Sequence, residues 1–491
     1  MLFLMLISLY TSRVILNALG VEDYGIYNVV GGVVTMFSML SGTLSAAISR
    51  FITFELGTGN KEKLIRVFSS SVTIQIGIAT LIIILAESIG LWFLNYKMVI
   101  PHDRLIAANW CYQFSIITFA INLVSVPYNA AIIAHEKMSA FAYISIVEAV
   151  GRLTIAWLIV INPFDRLVFY ACMVAILSIM IRLIYGWYCK RNFKECTYRF
   201  IYDNELLKRM FSFAGWNFIG ASSAVLRNSG TDIILNLFFG PTVNAARGIA
   251  VKVDSVITHF VTNFMMALNP QITKSYANGN KKYMFKLIFQ GARYSYYILL
   301  LLGLPVLLNT QYILEIWLKN VPDHTVLFVQ LILVLGLSEC ISNPLVTAML
   351  ATGIIRNYQI VVGGLQMMNL PIAYLCLYLG AVPESVIVVA IVLSQCCLVA
   401  RLYMLRGMIG LSIRQYLEKV YFNVIRVTLI AAILPFIVVR FFETDIINLI
   451  FITLFAIFCV LLSELFIGCN RTERGFVYQK ATNMARKYFK K

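Results

Sequence analysis

The side chains of this sequence that could do chemistry are charged and amide groups set inside long apolar runs. Tyr10, Arg13 and Asn17 follow at three- and four-residue spacing, so a helix puts them on one face. The next run carries Asn28 and two seams of small residues at seven-residue spacing, and Arg50 closes it. Asn217, Asn228 and Asp232 fall within about 60° of helical arc, with Arg227 to one side. Arg247 and Asp254 share a face of the following run, while Lys252 lies well round that helix. A charge at mid-bilayer costs about 2.5–3.5 kcal/mol on insertion scales, so such groups face protein or a watery cavity. Arginine and lysine pair with phosphate. Arg13, Arg50, Arg227, Arg247 and Lys252 are therefore candidates for holding an anionic substrate. Asn17, Asn28, Asn217, Asn228, Asp232 and Asp254 are candidates for lining the cavity or balancing those charges. The cations of these runs outnumber the two aspartates, which favours an anion.

Each of these groups also has a structural reading. The small-residue seams suit close helix packing. Arg13 can snorkel to an interface. Arg247 and Asp254 can form an ion pair, and Glu148 and Arg152, four apart, are expected to pair with each other. Glu87, Glu315 and Glu339 read as isolated carboxylates, either hydrogen-bonded in a structural role or, for one of them, carrying a coupling proton. Pro127, Pro305, Pro344, Pro371 and Pro435 interrupt apolar runs and can kink their helices. Pro127 and Pro344 are the candidate hinges. There is no phosphate-binding glycine loop, the four histidines are scattered, and the ten cysteines show no metal or redox spacing. No catalytic residue, metal or cofactor is expected.

The elements that position these groups follow from composition. Of 491 residues, 60% are hydrophobic and 13% charged, with a mean hydropathy of +0.82. A soluble domain carries about 25% charge. These values exclude a soluble enzyme, a disordered chain and a secreted disulfide scaffold. Fourteen runs are long enough to cross a bilayer as helices, from 1–19 to 445–468, and none alternates with the period of a barrel strand. The net charge of +17 reads as basic loops rather than nucleic-acid binding. One set of loops and the C-terminal tail hold 25 Lys and Arg; the alternating loops hold only Lys97, Arg104, Arg166, Lys319 and Arg440. That split puts both termini in the cytoplasm. The first run opens at Met1 without a basic flank or a cleavage site, which argues against a signal peptide and leaves the true start open.

The chain repeats itself. Gly59-Asn60-Lys61 aligns with Gly279-Asn280-Lys281, and at the same offset Gly20 aligns with Gly240. Further on the offset drifts: Trp92 meets Trp317, and Pro127 meets Pro344. A unit of six spans has the same orientation twice, so the two copies are related by an axis along the membrane normal. The expected fold is an all-α polytopic membrane protein. Its N-terminal lobe is 1–190, a cytoplasmic linker follows at 191–210, and the C-terminal lobe is 211–410. Two extra helices occupy 411–468 and a basic cytoplasmic tail 469–491. Two parallel lobes suit alternating access.

The opening stretch from Thr11 to Tyr27, with Gly20 followed by Asp23-Tyr24-Gly25, resembles that of bacterial polysaccharide and O-antigen flippases. So does the Gly59-Asn60-Lys61 loop. These flippases belong to the multidrug/oligosaccharidyl-lipid/polysaccharide exporter superfamily, which includes the multidrug and toxic-compound extrusion (MATE) transporters. The resemblance implies a MATE-like fold in the bacterial inner membrane. It implies translocation of undecaprenyl-diphosphate-linked oligosaccharide to the periplasmic leaflet, for O-antigen or capsule assembly. The implied partners are the lipid-linked oligosaccharide, membrane lipids and the polysaccharide polymerase machinery, with no nucleic acid. A cation-coupled multidrug exporter of the same fold is the alternative, and a non-transporting membrane scaffold a second one.

Overall fold

In the computed structural model the described residues are 38–96, 100–161, 165–199, 203–318, 321–442, 445–470 and 472–475, with 11, 14, 15, 18–20, 23, 26, 27 and 479; the side chains of 38–42 and 241 are not described. Among the described residues every regular element is helical. A helix satisfies its own backbone hydrogen bonds, which lipid cannot do. Among the described residues ten helices are long and apolar enough to cross a membrane, and the chain is a multi-pass membrane protein. The chain forms two compact units, Met1–Phe218 and Ile219–Lys491.

The first unit contains α1 (Ser38–Thr58), α2 (Lys61–Tyr96), α3 (His102–Ala134), α4 (Met138–Ile161) and α5 (Arg166–Asn192). Helix α3 packs against all four others. Its Tyr112 is fully buried in a core with Cys111, Leu94 and Leu167. The Tyr112 hydroxyl donates to the Ala86 carbonyl at 3.0 Å. That carbonyl opens a π-helical segment of α2, Ala86–Gly90, whose wider turn accommodates an inserted side chain. A Cβ on Gly90 would lie 1.8 Å from the Tyr112 oxygen, so only glycine fits there. Arg104, at the start of α3, pairs with Asp23 and, at 2.6 Å, with Asp165. Asp165 in turn caps α5 by accepting from the Leu167 and Val168 amides. Asp23 of the Asp23-Tyr24-Gly25 stretch is thus a tie to α3.

Helix α6 (Asn204–Phe239) runs across the boundary between the units. The second unit continues with α7 (Pro241–Ala277), α8 (Lys281–Leu308), α9 (Thr310–Leu318) and α10 (Thr325–Thr352). It ends with α11 (Arg356–Tyr378), α12 (Ser385–Ile409), α13 (Ile413–Val439) and α14 (Ile446–Gly468). Helix α8 packs against α7, α10, α13 and α14, and α12 packs on α10 and α11. The run expected at 284–317 is two helices, α8 and α9, parted at Asn309. Helix α10 is interrupted by a turn at Ile341 and Ser342 just before Pro344, which has no amide hydrogen to continue the ladder. Pro127 lies inside an unbroken helix instead. On α14, Ile450, Leu454, Phe458 and Leu461 are exposed at helical spacing, while Ile452, Ala456 and Val460 are buried. Such a bare apolar stripe suits contact with lipid.

The repeated glycine loops have a local cause. Gly59 and Gly279 both take a left-handed φ, 73° and 71°, which ends the preceding helix. Asn60 and Asn280 then cap α2 and α8, each accepting an amide bond of 3.1 Å from three residues on. Gly20 and Gly240 share the same left-handed φ, 81° and 78°. The same stop-and-start device therefore recurs at the same offset.

Candidate functional site

The charges expected on α6 and α7 are brought together in the second unit, but in pairings the spacing did not indicate. Arg247 is buried and donates to Asp232, across the hairpin that turns at Gly240. The face shared by Arg247 and Asp254 on α7 produces no pair between them. An ion pair along one helix competes with one across a packed neighbour, and here the neighbour presents the carboxylate. Arg227 pairs with Glu339 of α10 at 2.5 Å, so the carboxylate read as isolated has a guanidinium partner. Glu87 and Glu315 have partners as well: Gln113 and Gln311 donate to them. Glu148 and Arg152 pair as expected, at 2.9 Å.

These pairings reduce the cationic surplus that the sequence suggested. Asp232 matches Arg247 and Glu339 matches Arg227. Lys252 and Asn228 are exposed. The Asp254 carboxylate is half-buried, with one oxygen that has no hydrogen-bond partner. Arg50 and Asn217 belong to the first unit. The Arg50 guanidinium stacks on Phe51 and Phe54, 4.7 and 4.9 Å from their ring centres, and lies 5.6 Å from that of Phe213. Asn217 is half-buried and engaged. Arg13, Asn17 and Asn28 lie outside the described residues.

Arg227 and Glu339 line a cavity of about 240 Å³ inside the second unit. Ser342, Asn343, Asn369 and Arg401 also line it. None of these four was singled out in the sequence. They sit one or two at a time on apolar helices, and only the packing of α6, α10, α11 and α12 collects them. Arg401 is buried, its Nε has no hydrogen-bond partner, and among the described residues no carboxylate pairs with it. The Asn369 carbonyl oxygen and the Ser342 hydroxyl are likewise buried without partners. The Asn369 amide donates weakly to Thr231, at 3.4 Å.

The first unit holds a cavity of about 200 Å³ at the equivalent place in the repeat. From α3 it is lined by Asn122, Ser125, Val126 and Asn129, and its counterpart from α10 by Glu339, Ser342, Asn343 and Val346. The steps between these residues are identical, and they flank Pro127 and Pro344. From α5 come Val174, Leu177, Ser178, Ile181 and Tyr185, matched on α12 by Ala390, Leu393, Ser394, Cys397 and Arg401. The steps are again identical. Tyr185 thus occupies the register of Arg401. The charges of the first cavity are Glu148 and Arg152, paired with each other.

Comparison with known proteins gives a consistent family and fold. The model of the family described as polysaccharide biosynthesis protein matches residues 1–276. A crystal structure of MATE in complex with MaD3S is 13% identical, with a TM-score of 0.71 over 83% of this chain and 93% of that one. An outward-facing multidrug resistance MATE family transporter of the MOP superfamily is 13% identical, with a TM-score of 0.68 over 83% and 93%. A MOP superfamily transporter from Pyrococcus furiosus, described by a binding pocket of reversed polarity, is 13% identical, with a TM-score of 0.66 over 83% and 94%. Comparison with curated proteins gives no match.

Proposed function

Because the chain belongs to the polysaccharide biosynthesis protein family and has the fold of MATE transporters, we propose that it is a flippase for lipid-linked oligosaccharide. It takes undecaprenyl-diphosphate-linked repeat units from the cytoplasmic to the periplasmic leaflet of a bacterial inner membrane by alternating access. Both termini are cytoplasmic, and the product feeds O-antigen or capsule polymerisation. The family match over residues 1–276 carries this reading. The arginines set among the apolar helices of the second unit support it, since guanidinium groups suit a diphosphate. Arg227 and Arg247 are the proposed contacts among the residues first singled out, with Asp232 and Glu339 holding them in place between substrate molecules.

The test is surface polysaccharide in a strain deleted for this gene, with lipid-linked intermediates extracted from its membrane. The expected result is loss of surface glycan, with repeat units accumulating on the cytoplasmic side. Complementation with Arg227→Ala or Arg247→Ala should leave protein in the membrane but no export. Unchanged surface glycan in the deletion strain overturns the reading. The multidrug description of one similar MATE transporter favours a second reading, a drug exporter. Protection against cationic dyes on overexpression would support that alternative.

A further inference from the structure

The two repeat-equivalent cavities differ in what their polar groups still need. In the first, Arg152 already has its carboxylate, Glu148. In the second, Arg401 replaces the tyrosine and brings a guanidinium with no anionic partner among the described residues. Arg401 is 8% exposed, Ser342 3% and Asn369 1%, so water at the protein surface does not satisfy them. A buried guanidinium without a counter-ion is costly, and so is each unpaired buried polar atom. These groups specify what would satisfy them. Arg401 and Ser342 supply donors for an oxyanion, whereas the Asn369 carbonyl accepts from a hydroxyl. Arg227 lines the same cavity, with Glu339 as its present partner.

We propose that the cavity between α6, α10, α11 and α12 is a binding site for a phosphate-class anion, held by Arg401 with Ser342 and with Arg227 as a second cation, while the Asn369 carbonyl accepts from a P–OH where the anion carries one. Binding itself does not depend on the flippase reading. The source of the anion does: under that reading it is the diphosphate of the lipid carrier, and otherwise it is free phosphate or pyrophosphate. A volume of about 240 Å³ admits a phosphoryl group or two and excludes an oligosaccharide, so the glycan would lie elsewhere. The break in α10 at Ile341 and Ser342 places one ligating residue at a discontinuity of the helix. Interrupted helices are where transporters put their binding groups.

The experiment is titration of the purified full-length protein in lipid nanodiscs with inorganic pyrophosphate, followed by calorimetry. Saturable binding is expected. Arg401→Gln should weaken it by at least about tenfold and Ser342→Ala by about fivefold, as for lost charged and neutral hydrogen bonds to an anion. Arg152→Gln in the first unit should leave it unchanged. A second arm uses nanodiscs that contain a polyprenyl diphosphate. If that lipid suppresses the pyrophosphate titration, the site takes the carrier head group; if it does not, the site takes a free anion. Both results support the assignment. No saturable binding to the wild-type protein, or equal binding to Arg401→Gln, overturns it. Should Arg401→Gln fail to fold, unchanged binding to Ser342→Ala overturns it instead. Should the deletion strain keep its surface glycan while pyrophosphate still binds through Arg401, the flippase reading falls and the anion site stands.

Discussion

Arg293 shows what a buried charge requires in this protein. Its guanidinium, on α8, donates to the Gly468 carbonyl and to Glu473, each at 2.7 Å, and Gln290 donates to the same carboxylate. Both partners of the ion pair are nearly inaccessible. Removing one partner of a buried pair costs about 3–5 kcal/mol, because the other is left uncompensated. Arg293→Ala should therefore lower the thermal unfolding temperature clearly; a temperature equal to the wild type would refute this. The same network has a pH signature. Burial alone would raise the Glu473 carboxyl, but bonds from Gln290, the Asn470 amide and Arg293 outweigh it and hold the group below the usual carboxylate range. A depressed folded value stabilises above the unfolded value of about 4.3 and is lost as pH falls through the folded one. Stability should thus drop in acid below about pH 4, and Glu473→Gln should remove that part of the acid response while lowering stability at pH 7. The sequence did not single out Arg293, because its partner lies 180 residues away.

Among the elements, the two repeat loops and the π segment of α2 differ in how readable they are. Gly59-Asn60 and Gly279-Asn280 are short, polar and identical, and their role as helix stop and cap is local. They were legible as a repeat before any packing was known. The π segment at Ala86–Gly90 was not, because its cause is a tyrosine on a neighbouring helix. Overpacking a filled core costs about 1–3 kcal/mol. Gly90→Ala should destabilise by that order, since its methyl group would meet the Tyr112 oxygen. Tyr112→Phe removes that oxygen, so the double variant Gly90→Ala/Tyr112→Phe should recover part of the loss. Additive losses in the double-mutant cycle would show that the two residues do not meet. The cavities show the same contrast. Ser125 and Ser342 occupy matching registers, but neither stood out within its apolar run.

For the molecule as a whole, the basic residues predict orientation. A cysteine placed at Lys63 or Lys281 should react with a membrane-impermeant maleimide only from the cytoplasmic side, and one at Asp103 only from the opposite side. Labelling of Lys63 and Asp103 positions from one side would contradict the topology. The apolar spans were readable because the insertion of a helix depends on its own twenty or so residues. Composition and period are properties of the chain, and they determined that this is a helical, multi-pass, duplicated membrane protein. Which charges pair was decided only by the tertiary structure. Periodicity puts Arg247 and Asp254 on one face of α7, yet Arg247 pairs with Asp232 on α6, and Glu339 reaches Arg227 from α10. Helical spacing defines a face but not the neighbour that covers it. The strength of an ion pair depends on that neighbour, and on the cavity the packed helices leave beside Arg401.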